Sequence, residues 1–367
     1  MKEKLLGKNL EELQALCARE GLASFAAGQL ANWLYVKKVR SIDEMTNISK
    51  AQRCVLSSKY EVGREAPVGA AVSKDGTKKY LFKCADGVLK NEGESCADVA
   101  AGGVLRNEGG NGSKGGAERY IESVMIPEED RATLCVSSQA GCRMGCKFCM
   151  TGRQGFHGNL SAAEILNQFF SVAEADQLTN AVFMGMGEPL DNCDNVFKAI
   201  EILTAPWGCG WSPKRITVST IGVNVKRLLE ETKVHVAVSM HNPFSPERFD
   251  MMPAEHAHPL KETLRLLKQY DFTGQRRVSF EYIMFSGLND SKKHADAIVQ
   301  ALRGLECRVN LIRFHDIGDT QFVSSPKPVI EAFKERLLSG GIMTTIRASR
   351  GEDISAACGM LAGEKKC

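Results

Sequence analysis

The chain has 367 residues, of which 43% are hydrophobic and 25% charged, and its formal net charge is +3. This length and composition predict a large core with a smaller unit beside it and exclude a disordered or fibrous protein. No stretch reaches the ~18 uninterrupted apolar residues of a membrane span, and the charged start of the chain differs from a secretory signal. We therefore expect a cytoplasmic protein without a membrane partner, whose 13 cysteines serve metal binding or thiol chemistry.

The front of the chain, residues 1–60, is predicted to be a small helical domain, with helical patterns at 9–21, 25–38 and 49–60. Residues 1–80 carry 14 Lys and Arg against 9 Asp and Glu, an excess of five positive charges. Within this part, aromatic and cationic residues alternate, a composition suited to RNA phosphates and exposed bases. The other interpretation is an amphipathic helix whose aromatic side chains belong to the core. The residues concerned are Trp33, Tyr35, Lys37, Lys38 and Arg40.

Residues 61–131 are predicted to form a short β unit that contains a Gly-rich insertion at 84–118. The insertion holds two near-copies, GVLKNEG at 87–93 and GVLRNEG at 103–109, followed by GGNGSKGG. Two copies are too few for a solenoid, and the composition is typical of a surface loop. We interpret the segment as an insertion to which the sequence assigns no role.

From residue 132 to 345, short β-branched runs alternate with amphipathic helical patterns through six β-then-α units. Such an alternation predicts an α/β fold with a parallel sheet and helical crossovers, either doubly wound or a partial barrel. In both architectures ligands bind at the carboxyl ends of the strands. The functional residues should therefore follow the strands directly.

Three cysteines follow the first of these strands in the segment GCRMGCKFCM, at positions Cys142, Cys146 and Cys149. A structural zinc site usually needs four ligands in two short-spaced couples, and no second couple of this kind occurs. Three thiolates in one loop suit a 4Fe-4S cluster that leaves one iron open to another ligand. We interpret the triplet as the ligands of such a cluster.

This spacing, on the loop after the first strand of a repeated βα fold, resembles the radical S-adenosylmethionine (SAM) superfamily. The resemblance implies a partial (β/α)6 TIM-like barrel in which SAM binds the open iron and is cleaved to a 5′-deoxyadenosyl radical. The segment GMGEP, with Gly187 and Glu188, resembles the element that meets the methionine amino group in that superfamily. Polar partners for the rest of SAM would stand at later strand ends, at Ser219, Ser239, Met240, His241 and Asn310.

Two further cysteines narrow the resemblance. With Cys135 in RATLCVSS, Cys358 in ISAACGML, and the segments MGMGEPL and VNLIRFH, nearly the whole chain resembles the RlmN family of dual-specificity RNA methyltransferases. The basic front domain is similar to the accessory domain of that family, which favours an RNA-binding role for it. Two departures are the insertion at 84–118 and the pair His157-Gly158, where a basic residue usually precedes Asn-Leu.

The resemblance implies a mechanism with two SAM molecules per turnover. Cys358, in the C-terminal segment 346–367, would first accept a methyl group from one SAM. A second SAM would generate the radical that converts the S-methyl group to a methylene radical, which adds to carbon 2 of an adenine. Glu122 would then take the carbon 2 proton, and Cys135 would attack the Cys358 sulfur, leaving a disulfide for reduction.

The implied substrates are adenosine 2503 of 23S rRNA and adenosine 37 of tRNA. The implied partners also include an electron donor such as flavodoxin or ferredoxin, and a monomer is sufficient for the reaction. One alternative is a Cfr-type enzyme, which methylates carbon 8 of the same ribosomal adenosine through the same two cysteines. Another is a non-catalytic zinc-binding RNA module.

Overall fold

The computed structural model describes residues 2–84, 118–272, 277–318 and 320–363. The strands are β1 Glu3–Lys4, β2 Tyr60–Glu61, β3 Gly69–Val72, β4 Lys78–Lys83, β5 Tyr120–Pro127, β6 Ala132–Cys135, β7 Gln139–Gly141, β8 Phe156–Asn159, β9 Asn180–Phe183, β10 Ile216–Thr220, β11 His235–Ser239, β12 Val278–Met284, β13 Cys307–Arg313 and β14 Met343–Ile346. The helices are α1 Leu10–Arg19, α2 Ala26–Ala31, α3 Lys50–Lys59, α4 Met150–Arg153, α5 Ala162–Ser171, α6 Cys193–Thr204, α7 Val225–Glu231, α8 Ser245–Met251, α9 Leu260–Gln269, α10 Lys292–Leu302 and α11 Lys327–Ser339. Within these ranges, no helix combines the length and apolarity that crossing a membrane requires.

The front of the chain folds into helices α1 to α3. Helix α1 begins at a capping box, because the Asn9 side chain accepts the Glu12 amide proton and the Glu12 carboxylate accepts that of Asn9. Helix α2 continues as a short π-helical turn over Asn32–Val36. The domain packs directly on the barrel, since the ring of Tyr35 lies 6.3 Å from that of Phe170, on α5.

The main sheet has ten strands in the order β14-β13-β12-β11-β10-β9-β6-β5-β4-β3. The seven strands from β14 to β6 run parallel, and helices α5 to α11 make the crossovers between them. The six predicted βα units are therefore present in the predicted order. A seventh parallel strand, β14, extends the expected six. It pairs with β13 at the sheet edge, and Thr344 is the one buried residue of its sequence MTTI.

Strands β5, β4 and β3 extend the other edge of the sheet as an antiparallel meander. Strand β5 pairs with β6, the first parallel strand, so the small β unit is continuous with the barrel sheet. The insertion predicted at 84–118 lies outside the described residues except for its two ends. It leaves the sheet after β4 and returns just before β5.

A fully buried arginine braces the carboxyl ends of two barrel strands. Arg248 on α8 donates hydrogen bonds to the carbonyl oxygens of Ser239, Met240 and Ile221 at 2.9, 2.9 and 3.0 Å. Its charge is balanced by the buried carboxylate of Glu255. Because every one of these partners is shielded from water, the arginine holds the ends of β10 and β11 in one arrangement.

We predict that Arg248→Met lowers the free energy of unfolding by about 3–5 kcal/mol, because it leaves the Glu255 carboxylate buried without a cation. The double variant Arg248→Met with Glu255→Leu should recover part of that loss. Urea unfolding followed by circular dichroism measures both values. Equal stability of the wild type and Arg248→Met would contradict this account of the strand ends.

Candidate active site

A single open cavity lies at the carboxyl ends of the parallel strands, with about 840 Å³ of space that protein atoms do not fill. This is the edge at which ligands bind in such folds. Loops after β6, β9, β10 and β11 and the C-terminal segment all contribute to its wall. The predicted site residues on this wall are Cys142, Cys146, Cys149, Gly187, Glu188, Ser219, Ser239, His241 and Cys358.

The cysteine loop is shaped by a glycine and a short helix. Gly141 has a φ of +72°, and a Cβ on it would come within 2.0 Å of the Gly155 carbonyl oxygen. That carbonyl accepts the Cys142 amide proton at 2.8 Å, which closes the loop at its base. Cys149 stands at the N-cap of α4, and its amide donates to the Cys146 carbonyl at 3.2 Å. The loop thus curls so that all three thiols face one cavity.

The arrangement of the three thiols fits a cluster better than a single ion. Burial raises the pKa of Cys142 to about 12 and that of Cys146 well above its usual range, and charges on the neighbouring thiols raise both further. Within the described residues, no three His, Cys, Asp or Glu side chains converge to hold one ion, as zinc requires. A 4Fe-4S cluster instead takes one thiolate at each corner, so its ligands stand further apart.

The loop after β9 forms the wall beside the cysteines. Gly187 has a φ of +95°, and a Cβ there would lie 2.5 Å from that of Gln139. The buried Glu188 carboxylate accepts the amide protons of Leu190 and Ile221 at 3.2 and 3.1 Å. Burial raises the pKa of Glu188 to about 7. A cationic ligand group such as an amine would stabilise its charged form, which suits the amino group of an amino acid.

His241 follows β11 in the left-handed conformation, with a φ of +54°. Its Nδ1 accepts the Ile283 amide proton at 3.1 Å, and its ring lies edge-on to Phe148 with the centroids 5.0 Å apart. Burial and the charge of Arg248 lower the pKa of His241 to about 3, so the imidazole is neutral. With Nδ1 accepting, the ring proton is on Nε2, which makes His241 a hydrogen-bond donor for a ligand.

Two of the residues predicted to contact SAM do not line the cavity. The Met240 side chain is fully buried, so Met240 contributes only its backbone. Asn310 lies behind Glu281 on β12 and donates to its carboxylate at 2.8 Å. Glu281 itself lines the cavity, together with Arg347, whose guanidinium lies 3.3 Å from it. Neither residue was predicted from the sequence. The Glu281 carboxylate within the apolar strand VSFEYIM was a usable signal, because a buried carboxylate usually has a polar or charged partner.

The C-terminal segment holds Cys358 at the mouth of this cavity, where its side chain is exposed. The Gly359 carbonyl accepts the Met150 amide proton at 2.8 Å, and the Thr151 hydroxyl donates to the Leu361 carbonyl at 2.7 Å. These bonds attach the segment to α4, immediately after Cys149. Cys358 and the three loop cysteines therefore line the same cavity.

Cys135 is buried at the end of β6. Burial raises its pKa to about 12, a charge on Cys358 raises it further, and the Arg347 guanidinium lowers it. Both cysteines are free thiols in the structure, so the implied Cys135–Cys358 disulfide is not present in it.

Glu122 on β5 contacts the same C-terminal segment. Its Oε2 accepts the amide protons of Ala362 and Gly363 at 2.8 and 3.2 Å, and its Oε1 lies 2.8 Å from the Lys79 ammonium. Only 5% of the Glu122 side chain is exposed. The structure thus attaches Glu122, through backbone hydrogen bonds, to the segment that carries Cys358.

Comparisons with known proteins agree with this arrangement. The family model described as the radical SAM superfamily matches residues 136–298, and the ribosomal RNA large subunit methyltransferase N-terminal domain matches residues 3–62. A "probable dual-specificity RNA methyltransferase RlmN" of Porphyromonas gingivalis is 54% identical over 98% of this chain and 97% of its own length. The chain belongs to the RlmN family. The dual-specificity RNA methyltransferase RlmN of Syntrophus aciditrophicus is 35% identical over 97% of the chain and 95% of its own length.

A crystal structure of a radical SAM methyltransferase from Sphaerobacter thermophilus superimposes with a TM-score of 0.85. It is 34% identical and covers 99% of this chain and 100% of that one. The predicted fold class, a partial barrel of the radical SAM type, is thereby confirmed. The predicted membership of the RlmN family and the enzyme class are confirmed as well.

The predicted cluster of aromatic and basic residues in the front domain does not form one surface. Tyr35 is buried, and its hydroxyl donates to the Lys8 carbonyl, while Trp33 donates to Asn47 and is only partly exposed. Lys38 pairs with Asp176 of the barrel at 2.8 Å. The core interpretation therefore holds for Tyr35, and Lys38 joins the two domains. The side chains of Lys37 and Arg40 are the exposed cations of this set.

Gly158 on β8 lies beside Arg119, the residue directly before β5. Gly158 has a φ of +133°, and a Cβ on it would come within 2.3 Å of the Arg119 Nη1. Arg119 also donates to the His157 carbonyl at 2.7 Å. The guanidinium of Arg119 thus occupies the space into which a side chain at position 158 would project.

We predict that Cys146→Ala removes the brown absorbance and most of the iron from anaerobically reconstituted protein, because one corner of the cluster loses its thiolate. Cys142→Ala and Cys149→Ala should do the same. Cys193→Ala is the matched control, since Cys193 is a buried thiol outside the cavity. Full iron content in Cys146→Ala would contradict the assignment.

Proposed function

We propose that this chain methylates carbon 2 of an adenosine in RNA through a methyl group carried on Cys358. The observation that carries the proposal is the position of Cys358, which lines one cavity together with the three loop cysteines. A methyl carrier must reach both a SAM molecule and the RNA base, and the exposed thiol at the cavity mouth has access to both. Radical SAM membership supports the rest of the chemistry.

The cluster and SAM together would supply a carbon-centred radical that can remove a hydrogen atom from an S-methyl group. Cys142, Cys146 and Cys149 would hold the cluster, and Glu188 would receive the amino group of SAM. His241 and Ser239 are placed to donate hydrogen bonds to the remaining polar groups, with Glu281 beside them. Two SAM molecules per turnover would be needed, one as methyl donor and one as radical source.

Cys358 and Cys135 would divide the thiol chemistry between them. The exposed Cys358 would displace the methyl group of SAM, since an accessible thiol can ionise and attack. Burial keeps Cys135 protonated in this arrangement, so it would react only after the site has opened to RNA. Its thiolate would then attack the Cys358 sulfur, and the electron pair of the carbon–sulfur bond would stay on the methylene carbon, which takes up a proton. The product disulfide needs reduction before the next turnover.

Glu122 would accept the proton from carbon 2 of the adenine. A carboxylate that takes this proton must be close to the adenine while a methylene group still joins the adenine to the Cys358 sulfur. The support for this role is that two amides of the Cys358 segment bind the Glu122 carboxylate directly. Glu122 would become available to the substrate when those amides leave its carboxylate and the adenine takes their place.

The substrates would be 23S rRNA at adenosine 2503 and tRNA at adenosine 37, with a one-electron donor of the flavodoxin or ferredoxin type. The printed names of the relatives describe dual-specificity RNA methyltransferases, which supports two RNA classes. The match of residues 3–62 to a ribosomal RNA methyltransferase domain supports an RNA-binding front domain. A monomer contains every residue named in the proposal.

We predict that Cys135→Ala forms a covalent RNA–protein adduct that survives denaturants, because addition to the adenine proceeds but the Cys358 sulfur is not released. Peptide mass spectrometry after nuclease digestion should find adenosine plus one carbon on the Cys358 peptide. Cys358→Ala should form no adduct, and Cys193→Ala should behave as the wild type. An unmodified Cys358 peptide in Cys135→Ala, with RNA still methylated, would refute the carrier role.

We predict that Lys37→Glu combined with Arg40→Glu weakens RNA binding and reduces its salt dependence by about one to two phosphate contacts. Both side chains are exposed on the front domain, so the fold should be retained. Fluorescence anisotropy with a tRNA at several salt concentrations measures the effect. Unchanged affinity and unchanged salt dependence would place the RNA-binding surface elsewhere.

A further inference from the structure

Lys79 is the one charged side chain that the described contacts place on both Glu122 and the Cys358 segment. Its ammonium lies 2.8 Å from Glu122 Oε1 and donates to the Ser355 carbonyl at 3.3 Å. Only 12% of the Lys79 side chain is exposed, so the pair is shielded from water on both sides. Ion pairs of this burial are rare unless the geometry is fixed by further hydrogen bonds.

The two oxygens of Glu122 have different partners. Oε1 faces the ammonium of Lys79, whereas Oε2 accepts two backbone amides from residues 362 and 363. Lys79 belongs to β4, which is hydrogen-bonded along its length to the strand of Glu122. The amides belong to the segment that must move if Cys358 is to serve both SAM and RNA. If that segment moved, the amides of residues 362 and 363 and the Ser355 carbonyl would leave with it, whereas Lys79 and Glu122 lie on paired strands and would stay together.

We propose that Lys79 is the positioning residue for proton removal, holding Glu122 by Oε1 so that Oε2 becomes the oxygen that accepts the carbon 2 proton. This inference rests on the proposed function of Glu122. In the step concerned, the proton passes to Oε2, the electron pair of the carbon–hydrogen bond rejoins the ring, and the unpaired electron of the radical adduct would pass to a one-electron acceptor, the oxidised iron–sulfur cluster. The ammonium would hold the carboxylate in one orientation by Oε1, so that Oε2 faces the space that the amides of residues 362 and 363 occupy.

The neighbouring residue provides a matched control. Lys78 lies on the same strand and pairs with the buried Glu174. Because successive side chains of a strand point to opposite faces, Lys78 points away from the Cys358 segment. Lys78→Met removes the same charge from a similarly buried carboxylate. It therefore reproduces the loss of stability without touching Glu122.

The test is a single turnover of the reconstituted enzyme with RNA that carries hydrogen or deuterium at carbon 2 of the target adenine. For Lys79→Met, Cys358 should be methylated as in the wild type, while release of methylated RNA from the covalent adduct slows about tenfold to hundredfold. A primary isotope effect on release should appear, because proton removal has become rate-limiting. Lys79→Arg should restore most of the rate, and Lys78→Met should show no isotope effect.

Release from Lys79→Met at the wild-type rate would overturn the inference, as would an equal effect of Lys78→Met. Loss of Cys358 methylation in both Lys79→Met and Lys79→Gln would also overturn it, since Lys79 would then have a purely structural role. The proposed function fails in a different way, because it requires an adduct in Cys135→Ala whatever Lys79 does. An adduct there, with normal release from Lys79→Met, would reject only the role of Lys79.

Discussion

The C-terminal segment is attached to two opposite parts of the site. The position of Cys358 in the site depends on this double attachment. On one side, the Gly359 carbonyl and the Leu361 carbonyl are bound to α4, directly after the cysteine loop. On the other side, the amides of Ala362 and Gly363 are bound to Glu122. Few hydrogen bonds are involved, and each is worth about 1 kcal/mol net, so the segment can be fixed and still be released.

This placement explains why the small β unit belongs to the active site. Strands β4 and β5 extend the barrel sheet and carry Lys79 and Glu122 to the edge where the segment returns. Ser73 and Lys74, in the turn before β4, also hydrogen-bond to Asp353 of the segment. The meander therefore contacts both the segment that carries Cys358 and the carboxylate of Glu122.

Much of this architecture could be predicted because its signals are local. Six strands with their helices follow from periodicity, and the cysteine triplet follows from spacing in one loop. The strand β14 was missed because its four residues carry little periodicity and its place is set by pairing with β13. Glu281, Arg347 and Lys79 were missed because their importance lies in contacts with residues at least 40 positions away in the chain.

The front domain shows the limit of composition as a guide. Tyr35 and Lys38 have the residue types of an RNA-binding surface, yet one packs between Phe170 and Trp207 and the other pairs with Asp176. Aromatic and cationic side chains serve equally well in joining two domains. The positions of the neighbouring elements decide whether such side chains bind RNA or pack between domains. Residues 33–40 alone do not show where those elements lie.

The central claim is that the methyl group is delivered to carbon 2 of adenosine. The most direct measurement is nucleoside mass spectrometry on 23S rRNA and tRNA after reaction with the reconstituted, reduced enzyme, with 2-methyladenosine and 8-methyladenosine as chromatographic standards. The account predicts a single new peak that coelutes with 2-methyladenosine in both RNAs. A peak that coelutes with 8-methyladenosine, or no methylated adenosine from an enzyme that cleaves SAM, would contradict it.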